Sequence, residues 1–319
     1  MRAFRPPFRF TSFFSPEDTL LCMLASEAAL AHARSLRRQD GRSVDPLRIV
    51  ELTTGSGLVG MHLLRLEHGS RLTGLDVDQR AIETARSNAK LLGLSARSLF
   101  DCADLWSETT VDILADLQPQ LLTCNPPYIP EPGSGSLEVE AGAGPAGTAH
   151  LDRTIELAGE FQPRALALSW CSLSDPAGIV ERAEKVGYFL NSLFVTAIAD
   201  GEYSGSVHSY LRTLDTAFIN EDRRTLEMVA PDGAARFAYL LFAGDFSRDA
   251  RPANDVSGVI ERISMNFSTN GLEALETPDA PIPVRAWLLD RWDELGLRAM
   301  LHGTTGTQDS VSEMTELYG

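Results

Sequence analysis

Residues Leu47 to Leu64 constrain the fold more than any other stretch. A short apolar strand, Leu47 to Leu52, runs into Glu51-Leu52-Thr53-Thr54-Gly55-Ser56-Gly57. Apolar residues at Leu58, Val59, Met61, Leu63 and Leu64 follow at the spacing of a helix that opens in the turn. A strand, a glycine-bearing turn and a helix N-terminus make a nucleotide-binding corner, because small residues let the backbone approach a ligand and the helix start offers unpaired amides. G-x-G alone is a weak signal. A second strand, Arg71 to Leu75, ends in Asp76, about 20 residues past the glycines, where doubly wound folds place the carboxylate that accepts both ribose hydroxyls. Asp78 is assigned to capping the next helix, Gln79 to Leu92, which Gly93 closes.

A third strand, Arg97 to Phe100, leads to Asp104, which serves either as acceptor for the amine of a cofactor adenine or as an ordinary turn carboxylate. The fourth, Gln120 to Cys124, delivers Asn125-Pro126-Pro127-Tyr128 to the same carboxyl edge of the sheet, the edge at which open α/β sheets bind ligands. Proline carries no amide hydrogen and holds the preceding residue extended, so this step forms a rigid mouth lined with acceptors. A planar amine or amide group can give one hydrogen to the Asn125 side-chain oxygen and one to the Pro126 carbonyl, with Tyr128 against its flat face. The plain alternative is that Asn-Pro marks only a turn.

Pro130 to Ala149 is rich in Gly, Ser, Pro and Glu and reads as a substrate lid that brings Glu138 and Glu140 to the substrate, or as a solvated tether. Beyond it the alternation resumes, with helix Leu151 to Phe161, strand Arg164 to Trp170, helix Asp175 to Val186, an apolar run Phe189 to Ile198, helix Val207 to Ile219 and strand Phe237 to Ala243. The pattern predicts an α/β, Rossmann-like fold with a seven-stranded, mostly parallel sheet and helices on both faces. Residues 45–247 form that domain. Residues 1–44 are an N-terminal helical segment and candidate lid, opened by Ser15-Pro16-Glu17-Asp18 as cap, first-turn proline and two acids. Residues 248–319 are a C-terminal extension with helices at Val256 to Met265 and Pro283 to Leu301 and a frayed end from Thr304 to Gly319.

With 319 residues, 44% of them apolar, the chain can bury a full core. Its net charge of −16 argues against a surface built mainly to track phosphate backbones. Arg34, Arg37, Arg38 and Arg42 form a local basic cluster, read either as a solvated helix end or as a nucleic-acid contact. The four cysteines form no C-x-x-C pair and the six histidines no H-x-x-x-H, which argues against a disulfide scaffold or a structural zinc site and for a reducing cytoplasm. No metal is expected. No apolar run reaches the roughly 18–20 residues of a membrane span, and the first ten residues lack the apolar core of a secretory signal.

The glycine turn, the acid after the second strand and the Asn-Pro-Pro-Tyr step after the fourth stand in one order. In this the chain resembles class I S-adenosylmethionine-dependent methyltransferases, over Phe13 to Ala243. Within that class Asn125-Pro126-Pro127-Tyr128-Ile129 and Ser15-Pro16-Glu17-Asp18-Thr19 resemble the HemK-type protein-glutamine methyltransferases. The resemblance implies S-adenosylmethionine as cofactor, bound by Glu51, Thr53, Gly55, Gly57 and Asp76 with Asp104 beside the adenine. It implies transfer to a planar nitrogen, a protein glutamine side chain, at Asn125, Pro126, Pro127 and Tyr128. Thr53 departs from the family's D-x-G-x-G-x-G loop by replacing its first glycine. Leu168-Ser169-Trp170 lacks an acid often found there, the segment before the first strand is short, and the tail after Asp245 has no counterpart. Two rivals stand beside this function: adenine methylation on RNA or DNA, and a non-catalytic binding protein that keeps the fold. A nicotinamide oxidoreductase fits the turn and Asp76 but leaves Asn125 to Tyr128 without a role. No motif points to a membrane partner or to an oligomeric state.

Overall fold

A computed structural model describes residues 15–39, 46–133, 137–139, 141–199, 206–217, 226–229, 235–249, 256–270, 275, 280 and 282–286. Helix α1 (Pro16–Gln39) precedes an alternating series: β1 (Leu47–Leu52), α2 (Leu58–Leu66), β2 (Ser70–Asp76), α3 (Gln79–Leu91), β3 (Ser98–Cys102), α4 (Glu108–Leu117), β4 (Leu121–Cys124), α5 (Ala149–Phe161), β5 (Ala165–Cys171), α6 (Pro176–Lys185) and β6 (Phe189–Ala199). Helix α7 (His208–Ala217), β7 (Leu226–Val229), β8 (Ala235–Ser247), α8 (Val256–Asn270) and β9 (Val284–Ala286) complete it.

The strands form one sheet in the order β3-β2-β1-β4-β5-β8-β6-β9, with β7 paired to β8. The first five are parallel, and β1 pairs with both β2 and β4, so Glu51 lies level with Gly74 on one side and Thr123 on the other. The chain runs from β1 outward through β2 to β3 and then crosses back to β4 on the other side of β1, which opens a crevice beyond the carboxyl end of β1. The other half closes antiparallel, β8 running between β5 and β6. Trp170, Phe242 and Phe246 stack in its core, fully buried.

Local signals in the sequence match their elements. Asp78 accepts from the Arg80 amide at 2.8 Å and caps α3, and Gly93, at φ 68°, follows its end. The Ser15 hydroxyl accepts from the Asp18 amide at 3.3 Å at the start of α1. That helix lies across β4, β5, β6 and β8, burying Leu21, Ala25, Ala29 and Ala33, and its Ser26 hydroxyl meets that of Thr123 at 2.7 Å.

The expected seven strands become nine among the described residues. One addition is β7, a short antiparallel partner for β8. The other is β9, which corrects the helix expected from Pro283: Val284–Ala286 pairs parallel with Leu193–Val195 of β6. Ile282 precedes Pro283 and is held extended by it, and β6 otherwise presents a free edge to which extended chain can add. The remainder of that expected helix, the tail from Thr304 and the position of Arg42 lie outside the described residues. The helix read from Val256 to Met265 extends to Asn270.

Candidate functional site

A cleft of about 480 Å³ opens at the carboxyl ends of β1 to β4, within the size range of small-molecule sites. On one side the β1–α2 turn contributes Glu51, Thr53, Thr54, Gly55 and Ser56. The Thr54 amide donates to Leu75 and the Gly57 amide to Thr54, at 2.9 and 2.8 Å, which folds the turn over the end of β2. Gly57 has φ 76°, and a Cβ there would come within 2.9 Å of the Phe100 ring, so only glycine fits. It shapes the turn without lining the cleft.

Asp76 and Glu51, both in the cleft wall, differ in how their oxygens are used. Asp76 spans the turn, one oxygen accepting from the Gly55 amide at 2.8 Å and the other from Asp78 at 2.9 Å. Burial raises its carboxyl, and those amides oppose the rise. Glu51 accepts from the Thr54 hydroxyl at 2.6 Å and from the Gly60 amide, and burial pushes it up to about 7. It braces the turn against the first residues of α2. Asp104 is exposed, lines the cleft and accepts from the Trp106 amide at 2.9 Å, so its turn role is realised at a position that also faces a ligand.

Across the cleft stands the end of β4. Asn125 and Pro127 line it, whereas Pro126 and Tyr128 do not. Asn125 Oδ1 is buried and has no hydrogen-bond partner among the described residues. Tyr128 is buried, and its hydroxyl donates to Asp18 on α1, which ties the mouth to the helix. Burial lifts Asp18 to about 6 against the opposing hydrogen bonds from Ser15 and Tyr128. Thr53, at φ 50°, places its hydroxyl 2.7 Å from the Leu52 carbonyl and 3.1 Å from the Asn125 carbonyl, so the turn and the mouth touch.

The segment read as a lid folds back on the mouth. The Ile129 amide donates to Ala141 and the Ala143 amide to Ile129, each at 3.0 Å, while buried Glu131 accepts from the Leu137 amide at 3.0 Å. Glu138 and Val139 thereby line the cleft; Glu140 lies outside the described residues.

Thr19 belongs to the segment that carried the family resemblance, whereas Trp106 and His150 had no role in the sequence reading. Thr19 reaches the cleft from α1, and Trp106 and His150 from the far side. The Trp106 and His150 rings meet edge to face at 4.8 Å. His150 Nδ1 is buried without a hydrogen-bond partner among the described residues, and burial lowers its pKa. No group of three or more metal-ligating side chains occurs among the described residues.

Fold and cleft together define an open α/β protein with a cleft at its topological switch point, the place where such sheets bind ligands. No protein-family model matches the chain. It is similar to a release factor glutamine methyltransferase of Chlorobaculum tepidum, at 36% identity over 40% of this chain and 44% of that protein. One of Bradyrhizobium diazoefficiens is 34% identical over 42% of this chain and 41% of the relative. A tRNA1(Val) (adenine(37)-N6)-methyltransferase of Porphyromonas gingivalis is 26% identical over 28% of this chain and 35% of its own length. The chain thus spans less than half the length of these relatives.

Proposed function

We propose that the chain is an S-adenosylmethionine-dependent N-methyltransferase that acts on a planar amide nitrogen, the glutamine side chain of a protein. The observation that carries this reading is Asn125 Oδ1, a buried acceptor without a donor among the described residues, on a side chain that lines the cleft together with Asp76 and Gly55. A buried acceptor left unmatched costs about 1–3 kcal/mol, and a ligand N–H removes that cost. The names of the Chlorobaculum and Bradyrhizobium relatives support an amide as the group that brings it.

The residues present fit the cofactor. Asp76 retains acceptor capacity for ribose hydroxyls beside its two amide bonds, Gly55 has nothing within 4 Å of where a Cβ would stand, and Asp104 offers an oxygen at the next strand end. Thr53 lines the same wall, Glu51 holds the turn from beneath, and Gly57 turns the chain into α2. When bound, the cofactor supplies an electrophilic methyl group on a positive sulfur.

An amide nitrogen is a poor nucleophile because its lone pair is delocalised. The chain's part is to orient it and to accept hydrogens that become more acidic as the nitrogen gains positive character. Asn125 Oδ1 is the acceptor that holds one of those hydrogens. Pro126 does not line the cleft, so its carbonyl is a second acceptor only for a group that reaches past Pro127. The nitrogen gives up one hydrogen as a proton to water once it carries the methyl group. Pro127 walls the cleft beside Asn125, and Tyr128, anchored through Asp18, fixes the mouth. Alignment of two bound reactants is worth up to about 7–11 kcal/mol of barrier.

The exocyclic amine of adenine presents the same pair of hydrogens, and the Porphyromonas relative's name favours it as a second reading; the net charge of −16 weighs against it. Incubation of the chain with radiolabelled S-adenosylmethionine and a cell extract, divided between protease and nuclease, tests both. Label released by protease supports the amide, and label released by nuclease overturns it in favour of adenine. Failure of the cofactor to bind in a calorimetric titration leaves a non-catalytic binding protein.

A further inference from the structure

We propose that Thr53 is a positioning residue whose hydroxyl sets Asn125 against the turn that holds the methyl donor; this rests on the function proposed above. Thr53 has φ 50°, a backbone conformation that L side chains rarely adopt and that is least suited to a residue branched at Cβ. The other described non-glycine residues with positive φ, Gln118, Gln162 and Asp175, are unbranched at Cβ and flank helix ends. Thr53 flanks no helix end. Such an outlier persists where its surroundings hold it in place, and the side chain shows what holds this one.

The parallel ladder between β1 and β4 ends at Leu52 and Cys124. Thr53 and Asn125 are the next residues, and the ladder's reach is extended by a side chain. The single hydroxyl hydrogen of Thr53 has two carbonyls within range, Leu52 at 2.7 Å and Asn125 at 3.1 Å, with the Cys124 sulfur at 3.3 Å. The neighbouring Thr54 points elsewhere and bonds to Glu51 within its own turn.

The Asn125–Pro126 peptide has no amide hydrogen, so its carbonyl is the group through which that peptide plane can be held. The Asn125 side-chain oxygen has no partner among the described residues to aim it. The backbone sets where that side chain starts, and the Thr53 hydroxyl reaches the Asn125 carbonyl from the donor side of the cleft. A glycine here relaxes the turn and removes the link.

Three substitutions separate hydroxyl from backbone. Thr53→Val keeps the shape without the hydroxyl, Thr53→Ser keeps the hydroxyl, and Thr53→Gly removes both hydroxyl and backbone strain. Each is read by the initial rate of label transfer to extract protein at saturating S-adenosylmethionine, by the cofactor Kd from calorimetry, and by the side-chain amide signals of Asn125 in nitrogen-edited NMR spectra. Valine is expected to slow transfer about tenfold, since small misplacements of reacting groups cost up to about a hundredfold. Because it keeps the branched shape that lines the donor wall, it is expected to weaken the cofactor Kd by less than it slows transfer. Serine restores most of the rate valine loses, and glycine slows transfer although it leaves the melting temperature near wild type.

The Asn125 amide signals are expected to shift or broaden in the valine and glycine variants and to stay in place in the serine variant. Equal rates in wild type and valine, a serine variant as slow as valine, or Asn125 signals unmoved by valine each overturn the proposal. A parallel loss of cofactor affinity and rate also overturns it, placing the hydroxyl's role with the cofactor alone. Should wild type transfer no label, the functional reading fails by itself, and the Asn125 signals still decide whether Thr53 orients that side chain.

Discussion

The two halves of the sheet use buried polar groups differently. In the antiparallel half, Asp245 on β8 is fully buried and stands between the Ser192 hydroxyl of β6, which donates to Oδ1, and the His32 imidazole of α1. The imidazole lies 2.6 Å from Oδ2 as an ion-pair contact without hydrogen-bond angles. Asn191 and Ser247 add a hydrogen bond of 3.1 Å beside it. This cluster joins α1 to the two strands beneath it. At the parallel half's cleft, two lining residues, Asn125 and His150, carry buried atoms, Oδ1 and Nδ1, with no hydrogen-bond partner among the described residues. Trp170 Nε1 on β5 and Thr196 Oγ1 on β6, where the sheet runs antiparallel, also have no hydrogen-bond partner among the described residues, and neither residue lines the cleft. Buried polarity that is matched across elements serves assembly; buried polarity left open at a switch-point cleft serves a ligand.

Exchanging the outcomes of two substitutions would break that contrast. Asn125→Ala is expected to lower turnover about 10²–10³-fold, the scale of removing one polar group from a reacting centre. Its unfolding free energy should not fall below wild type, since no hydrogen bond of Oδ1 is lost and an unmatched buried acceptor is removed. Asp245→Ala is expected to do the reverse, losing about 3 kcal/mol in urea unfolding because Ser192 and His32 are left unmatched, with cofactor affinity unchanged. A destabilised Asn125→Ala, or an Asp245→Ala as stable as wild type, would show the division to be false.

A third outcome concerns Asp18, where the helix and the mouth meet. Burial raises its carboxyl from 3.8 to about 6, with neighbouring Glu17 adding to the rise and the Ser15 and Tyr128 hydrogen bonds opposing it. Between pH ~4 and ~6 the folded chain keeps a proton that the unfolded chain has released. Stability relative to Asp18→Asn therefore falls as pH rises through that window, by on the order of 2 kcal/mol, and is level above it. Unfolding curves for both proteins at several pH values check this. A difference that grows with pH has the wrong sign and would mean that the Tyr128 hydrogen bond outweighs burial.

The donor side of the cleft was legible because its signals are local. Gly57 closes the turn after its strand, Asp76 ends the next strand, and Asp78 caps the helix two residues on, each a residue type tied to the end of its own element. Gly57 meets Phe100 and Asp76 meets Gly55 only in the fold. Asn125 and Pro127 were legible for the same reason. Trp106 and His150 were not, because they meet only after the segment beyond the mouth folds back through backbone bonds at Ile129, Ala141 and Ala143, which leave no side-chain pattern. Strand β9 was misread because the residues after Pro283 repeat at helical spacing, while the free edge of β6 that captures Val284–Ala286 lies about ninety residues upstream. Thr53 was visible as a departure from a glycine pattern, but its partner Asn125 is brought near only by the β1–β4 pairing.

The smallest expected effect tests the basic end of α1. Arg34 was open to two readings, a solvated helix end or a nucleic-acid contact, and the fold gives its guanidinium partners within the chain. It pairs with Glu67 and donates to the Leu66 carbonyl at 2.8 Å, joining α1 to the end of α2. The pair is partly exposed, at 36% and 24% for the two side chains, and ion pairs of that kind are worth about 0–1 kcal/mol. Arg34→Ala should therefore lower stability by about 0.5 kcal/mol in low salt and by less in high salt, where the attraction is screened. Retention of the chain on immobilised RNA should be the same for both proteins at every salt concentration. A variant that keeps its stability and elutes from RNA at lower salt would return Arg34 to the nucleic-acid reading, because a phosphate contact weakens binding in proportion to the counterions it releases.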